Sequence, residues 1–175
     1  MRIYCDLRRC LACGACELAC AVEHSRSKDL FQAVLEGEEA TARREVQPPP
    51  EPILSSPPIG GISLGCMHCD PAPCVDACIT GAMHKEDGAT IVDQEKCVGC
   101  WMCVMACPFG AITPSKLKVA LKCDLCPDRE GREGKARFAC VEACPTGALI
   151  GGELEDFKKL LEEEVVLPIE TYHHR

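Results

Sequence analysis

At 175 residues the chain has room for one compact domain or two small ones, and it holds 17 cysteines, 4% aromatics and a formal charge of −8. So few aromatics leave a thin conventional core, and the acidic balance excludes nucleic acid as a partner, because phosphate backbones are met by clustered Lys and Arg. No apolar run reaches the roughly 18 residues of a membrane-spanning helix, and the start Met1-Arg2-Ile3-Tyr4-Cys5-Asp6 lacks the apolar core of a secretory signal.

A cytoplasmic location is therefore expected. In that reducing compartment grouped cysteines serve as metal ligands rather than disulfides.

The cysteines fall into four groups along the chain. The first is Cys10, Cys13, Cys16 and Cys20, three thiols at intervals of three and a fourth four residues on. Residues 36–63 carry no cysteine. They begin with charge (Glu36, Arg43, Arg44, Glu45) and turn proline-rich at Pro48-Pro49-Pro50-Glu51-Pro52 and Pro57-Pro58. Proline at this density favours extended backbone and opposes helix and sheet. The stretch reads either as a surface loop or as an arm lying along a partner.

The second group is Cys66, Cys69, Cys74 and Cys78, with its middle gap widened by two residues. After it, Ala82–Glu86 and Ala89–Asp93 flank Asp87-Gly88, the signature of a tight β-hairpin. The third group, Cys97, Cys100, Cys103 and Cys107 followed by Pro108, is the bacterial ferredoxin spacing for iron–sulfur ligation. Structural zinc usually takes two separated Cys-x-x-Cys pairs instead. Gly99, between the first two thiols, suits a backbone that must turn tightly through positive φ. Residues 110–113 and 118–121 predict a second hairpin through Pro114.

The fourth group is Cys123, Cys126, Cys140 and Cys144-Pro145, with a 13-residue insertion after Cys126. Leu154, Phe157, Leu160, Leu161 and Val165 then recur at helical spacing, predicting an amphipathic helix over 153–165. That helix either covers the chain's own core or docks on a partner. The whole reads as α+β: short strands, cluster loops and one- or two-turn helices.

The four-group pattern resembles the four-cluster ferredoxin-type electron-transfer subunits of the dimethyl sulfoxide reductase, formate dehydrogenase and hydrogenase complexes, over residues 1 to about 152. The run from Cys16-Glu-Leu-Ala-Cys20 through Glu23-His24-Ser25 to Leu30 is also similar to iron–sulfur proteins partnering carbon monoxide dehydrogenases. It is similar as well to polyferredoxin subunits of tungsten aldehyde oxidoreductase and benzoyl-CoA reductase complexes.

The resemblance implies two nested ferredoxin-like lobes. Residues 1–35 and 108–152 would form the outer lobe and 64–107 the inner one, with 36–63 as a Pro-rich arm and 153–175 as a C-terminal helix and tail. It also implies four [4Fe–4S] clusters with crossed ligation. Cys10, Cys13 and Cys16 would pair with Cys144, and Cys123, Cys126 and Cys140 with Cys20. Cys66, Cys69 and Cys74 would pair with Cys107, and Cys97, Cys100 and Cys103 with Cys78. Pairing of Ile3-Tyr4 with residues 147–150 would close the outer lobe.

The implied function is non-catalytic. Electrons would pass singly between a catalytic oxidoreductase subunit (a tungsten, molybdenum or nickel–iron enzyme acting on aldehyde, carbon monoxide, formate or hydrogen) and a second carrier, flavoprotein or hydrogenase subunit. A freely diffusing polyferredoxin is the alternative. An enzyme with a substrate-binding cluster would need a three-thiol group, and each group here has four. His24, His68 and His84 are then surplus as ligands, and His68, inside a ligand loop, is expected to donate a hydrogen bond to sulfur or to a partner. Trp101 either shields a cluster or packs in the core, and Cys5 is expected to be a structural cysteine. Iron-bound thiolates and cluster cores together would carry the net charge to about −16.

Overall fold

A computed structural model describes residues 1–36, 40–48, 60–129 and 138–163. In chain order the elements are β1 (Arg2–Cys5), α1 (Ala15–Glu23), α2 (Leu30–Glu36), β2 (Arg44–Gln47), β3 (Ile62–Gly65), α3 (Pro73–Asp76), β4 (Met83–Glu86), β5 (Ala89–Val92), α4 (Met102–Ala106), β6 (Thr113–Pro114), β7 (Ala120–Leu121), α5 (Ala139–Glu142), β8 (Leu149–Gly152) and α6 (Leu154–Glu163). The architecture is α+β, with the strands paired as four separate antiparallel ribbons, β1–β8, β2–β3, β4–β5 and β6–β7.

The β1–β8 ribbon joins the two ends of the chain, with Ile3 opposite Gly151 and Tyr4 opposite Ile150. The β4–β5 hairpin turns through Asp87 (φ 47°) and Gly88 (φ 77°), both left-handed as a type I′ turn requires. The second hairpin is shorter than its sequence suggests. Only Thr113 and Pro114 pair with Leu121 and Ala120, and Gly110 (φ 59°) bends the chain before the strand begins. Pro114 is tolerated because a two-stranded ribbon leaves one edge of each strand without a ladder.

Two cores result. Ile3, Cys16, Cys123, Phe138, Cys140 and Leu149 form the first, and Ala72, Cys74, Met83, Cys103, Ile112 and Ala120 the second. Each therefore mixes ordinary apolar side chains with cysteine sulfur. Ile112 and Ala120 bring the β6–β7 ribbon to the second core.

The stretch expected to be an arm is partly woven into the fold. Residues 44–47 pair with 62–65, and the Val46 N–H donates to Glu17 of α1 at 2.6 Å. The proline-dense residues 49–59 lie outside the described residues, as does the tail from 164 onward. The ring of Phe157 on α6 stacks on Tyr4 at 4.9 Å between centroids, so the C-terminal helix covers the β1–β8 ribbon of its own chain. Leu154 and Leu160 on the same helix remain more than two-fifths exposed.

Candidate metal centres

Each cysteine group starts with the same backbone device. The residue just before the second cysteine is left-handed in all four: Ala12 (φ 52°), His68 (φ 45°), Gly99 (φ 67°) and Leu125 (φ 67°). This reversal bends each Cys-x-x-Cys loop sharply, and the short helix that follows carries the third cysteine. Three of the four residues are not glycine, so the loops accept a conformation that costs roughly 1–2 kcal/mol per L-residue. Something other than local preference holds them there.

Each trailing cysteine has sulfurs of another group among its neighbours. Burial pushes the Cys20 thiol up to about 12, and its electrostatic neighbours are Cys123, Cys140 and Cys126 of the fourth group. Cys74 is raised by burial and then by Cys66 and Cys107, so the third group's trailing thiol lies beside the second group. Cys103 is raised by burial and has Cys78 and Cys97 as neighbours. Cys10, Cys13, Cys16 and Cys144 line one cleft together with Val46, Ser63 and Thr146. Cys69 and Cys100 are held in the ligand loops of their own groups, Cys69 half-buried and Cys100 exposed.

Backbone donors point at several of these sulfurs. Arg43 N–H donates to Cys20 Sγ at 3.3 Å, His68 N–H to Cys66 at 3.3 Å, Met83 N–H to Cys78 at 3.3 Å and Ala111 N–H to Cys107 at 3.4 Å. Cys78 and Cys144 also sit beside Thr80 and Thr146 at 3.7 and 3.6 Å, two residues on in each case. Burial alone would raise both thiols; these hydrogen bonds outweigh it and lower them.

The donor set fits iron–sulfur groups. Every one of the 17 cysteines is free, and sulfurs from distant segments converge without forming disulfides. His68 is 2% exposed, and its Nδ1 accepts from Thr90 N–H at 3.1 Å, which puts the ring proton on Nε2. That Nε2 has no hydrogen-bond partner among the described residues. A buried N–H left over inside a ligand loop asks for an acceptor, and a sulfur cluster supplies one. Burial, followed by the charges of Lys122 and Lys85, drives its imidazole down to about 3, so it stays neutral.

His84 Nδ1 instead donates to Ala82 O at 3.1 Å on a half-exposed strand. Trp101, half-buried, packs against the second core and takes a left-handed φ of 63° at the start of α4. Cys5 packs against the first core, its thiol pushed up by burial to about 11.

Three polar groups near the sulfurs were hidden in the sequence. His24 bridges Cys20 O (2.7 Å) and Asp124 (3.1 Å), tying the first group to the fourth. Burial would raise the Asp124 carboxyl, but His24 and Arg43 hold it well below the usual carboxylate range. Lys122, 3% exposed, donates from Nζ to Thr90 O and, at 2.7 Å, to Cys123 O, joining the β4–β5 hairpin to the fourth ligand loop. Arg44 is buried beside Cys140. All three follow from tertiary placement, and the only sequence cue was their nearness to a cysteine or a charged run.

Thiols gathered from distant segments into two cores define the class: this is an iron–sulfur protein of ferredoxin type. The chain belongs to the 4Fe-4S dicluster domain family, whose profile matches residues 61–154. It is 38% identical to an iron-sulfur protein of Rhodospirillum rubrum, over 98% of this chain and 92% of that one. It is 36% identical to the B subunit of the anaerobic dimethyl sulfoxide reductase of Escherichia coli, over 88% of this chain and 74% of the relative. The electron transport protein HydN of Escherichia coli is 34% identical, with 93% of each chain covered. No helix among the described residues is long and apolar enough to cross a membrane.

Proposed function

We propose that the chain is the electron-transfer subunit of an oxidoreductase complex and holds four [4Fe–4S] clusters. Bound by four thiolates, such a cluster supplies one-electron redox chemistry without an open site for substrate. Cys10, Cys13, Cys16 and Cys144 would hold one cluster, and Cys123, Cys126, Cys140 and Cys20 its mate. Cys66, Cys69, Cys74 and Cys107 would hold a third, and Cys97, Cys100, Cys103 and Cys78 the fourth. The observation that carries this reading is the crossing of the trailing thiols, Cys20 beside Cys123, Cys126 and Cys140, and Cys107 beside Cys74.

The protein's own part is to fix the sulfurs and to keep water from the inner sites. Cys20, Cys74, Cys123, Cys126 and Cys140 are buried, whereas Cys13 and Cys100 are exposed, one in each lobe. Exposed apolar side chains stand close in the chain to both thiols: Leu11 two residues before Cys13, and Val98 and Met102 two residues either side of Cys100. Electrons enter and leave at these two places. One partner is a catalytic subunit, a tungsten, molybdenum or nickel–iron enzyme, and the other a second electron carrier or flavoprotein. A cytoplasmic setting keeps the thiols available as ligands.

Anaerobically purified protein is expected to contain about 16 irons and 16 acid-labile sulfides, four of each per cluster. A content near 12 would remove one set, and a content near 8 would reduce the chain to a two-cluster ferredoxin. Co-purification of a large catalytic subunit tests the partner.

A further inference from the structure

Arg44 is 7% exposed, and no carboxylate pairs with it among the described residues. A buried guanidinium without a counter-charge is strongly disfavoured, so its surroundings must supply the negative charge. Its NH1 donates to Cys140 Sγ at 3.2 Å, its Nε to Ser63 Oγ at 2.7 Å and its NH2 to Ser63 O at 3.1 Å. Ser63 Oγ is in turn 3.3 Å from Cys16 Sγ. The guanidinium and one hydroxyl therefore bridge two sulfurs that belong to different thiol sets. In the loaded protein those sulfurs are iron-bound thiolates, the counter-charge the buried cation lacks.

We infer that Arg44 and Ser63 set the reduction potentials of the two outer-lobe clusters, raising both and linking the two sites through one hydrogen-bonded bridge. The inference rests on the four-cluster reading above. Reduction adds one electron and no proton to a cluster, so each reduced site gains a negative charge. A fixed positive charge within hydrogen-bonding distance of a ligand sulfur stabilises the reduced form, and hydrogen bonds to sulfur act in the same direction. This also gives the cysteine-free stretch a task. β2 and β3 are the strands that carry Arg44 and Ser63 into the gap between the two sites.

The test is an EPR-monitored redox titration of the whole iron-loaded protein, with iron and sulfide content measured on each sample. R44M should lower the midpoints of two of the four signals, each by at least a tenfold change in the reduced-to-oxidised ratio at fixed potential, or 59 mV for a one-electron couple. The other two signals should not move. R44K should restore most of the shift, which a purely packing role for the side chain would not do. S63A, which cuts the bridge to Cys16 and leaves the guanidinium in place, should lower one outer signal more than the other.

Fully loaded R44M with all four midpoints unchanged overturns the inference. If R44M loses iron, S63A decides: a selective outer shift in S63A upholds the inference, and unshifted signals in S63A overturn it. Wild-type protein that lacks the outer clusters would instead refute the four-cluster reading, an outcome the iron content separates from the rest.

Discussion

Gly99 shows how much of a ligand loop depends on one residue. It takes φ 67°, and a Cβ added there would lie 2.5 Å from Lys118 O, a backbone atom that cannot step aside. Gly99→Ala therefore combines left-handed strain of roughly 1–2 kcal/mol with a steric clash. It is expected to lower the thermal midpoint of the loaded protein and to release the iron bound near Cys97 and Cys100 first. An unchanged midpoint and iron content would show that the loop relaxes. Cys107→Ser is expected to damage the site of Cys66 and Cys74 rather than that of Cys97 and Cys103, because Cys107 is the electrostatic neighbour of Cys74. Spectra resolved by cluster decide, and damage confined to the Cys97–Cys103 site would refute the crossed ligation. The cysteines and Gly99 were legible because ligand spacing is a local property. Arg44 and Lys122 were not: a cation in a charged run or beside a strand looks solvated until the fold buries it.

At the scale of elements, the ribbons were the legible part and their margins were not. Asp87-Gly88 dictates its hairpin because two consecutive left-handed residues suit few other pairs. The β1–β8 closure, with Ile3 opposite Gly151, follows from apolar strands at the two ends of the repeat. Helix α2 gave no signal. It spans seven residues, and Phe31, Val34 and Leu35 on it are exposed, so it lacks the buried stripe by which helices are read. The strand β2 was hidden by the prolines that follow it. That strand changes what a deletion should do. Read as a detached arm, residues 38–62 would be dispensable for cluster binding. Removing them also takes away the Arg43 N–H bond to Cys20 and all of Arg44, so the outer lobe is expected to lose iron while the inner lobe keeps it. Replacing only residues 49–59 by a short turn leaves Gln47 opposite Ile62 and is expected to keep all the iron. Iron content of the two variants checks the contrast, and full content in both would return the whole stretch to the status of a surface loop.

For the molecule as a whole, the decisive fact is what the cores are made of. Half of the six fully buried members of the first core are cysteines, as are two of the six in the second, and most of the rest are alanine or a single aliphatic chain. Without iron these sulfurs would have to pack against one another as thiols. Burial raises Cys20 to about 12 and Cys123 to about 11, so in the apo chain they are neutral and contribute only the contacts of small apolar groups. The ligand loops, meanwhile, hold Ala12, His68 and Leu125 in a conformation that opposes folding. Metal binding has to offset both, which couples it to folding. Lys122 spreads that coupling across the fold, since its ammonium is shared by Thr90 O of the β4–β5 hairpin and Cys123 O of the fourth ligand loop. Removing iron with a chelator under anaerobic conditions is therefore expected to abolish native circular dichroism in a single step. Lys122→Met, which leaves those two carbonyls unpaired at a cost of about 1–3 kcal/mol, is expected to split the loss into two steps as chelator is increased. An apo protein that keeps its native spectrum would show that the polypeptide folds without its clusters.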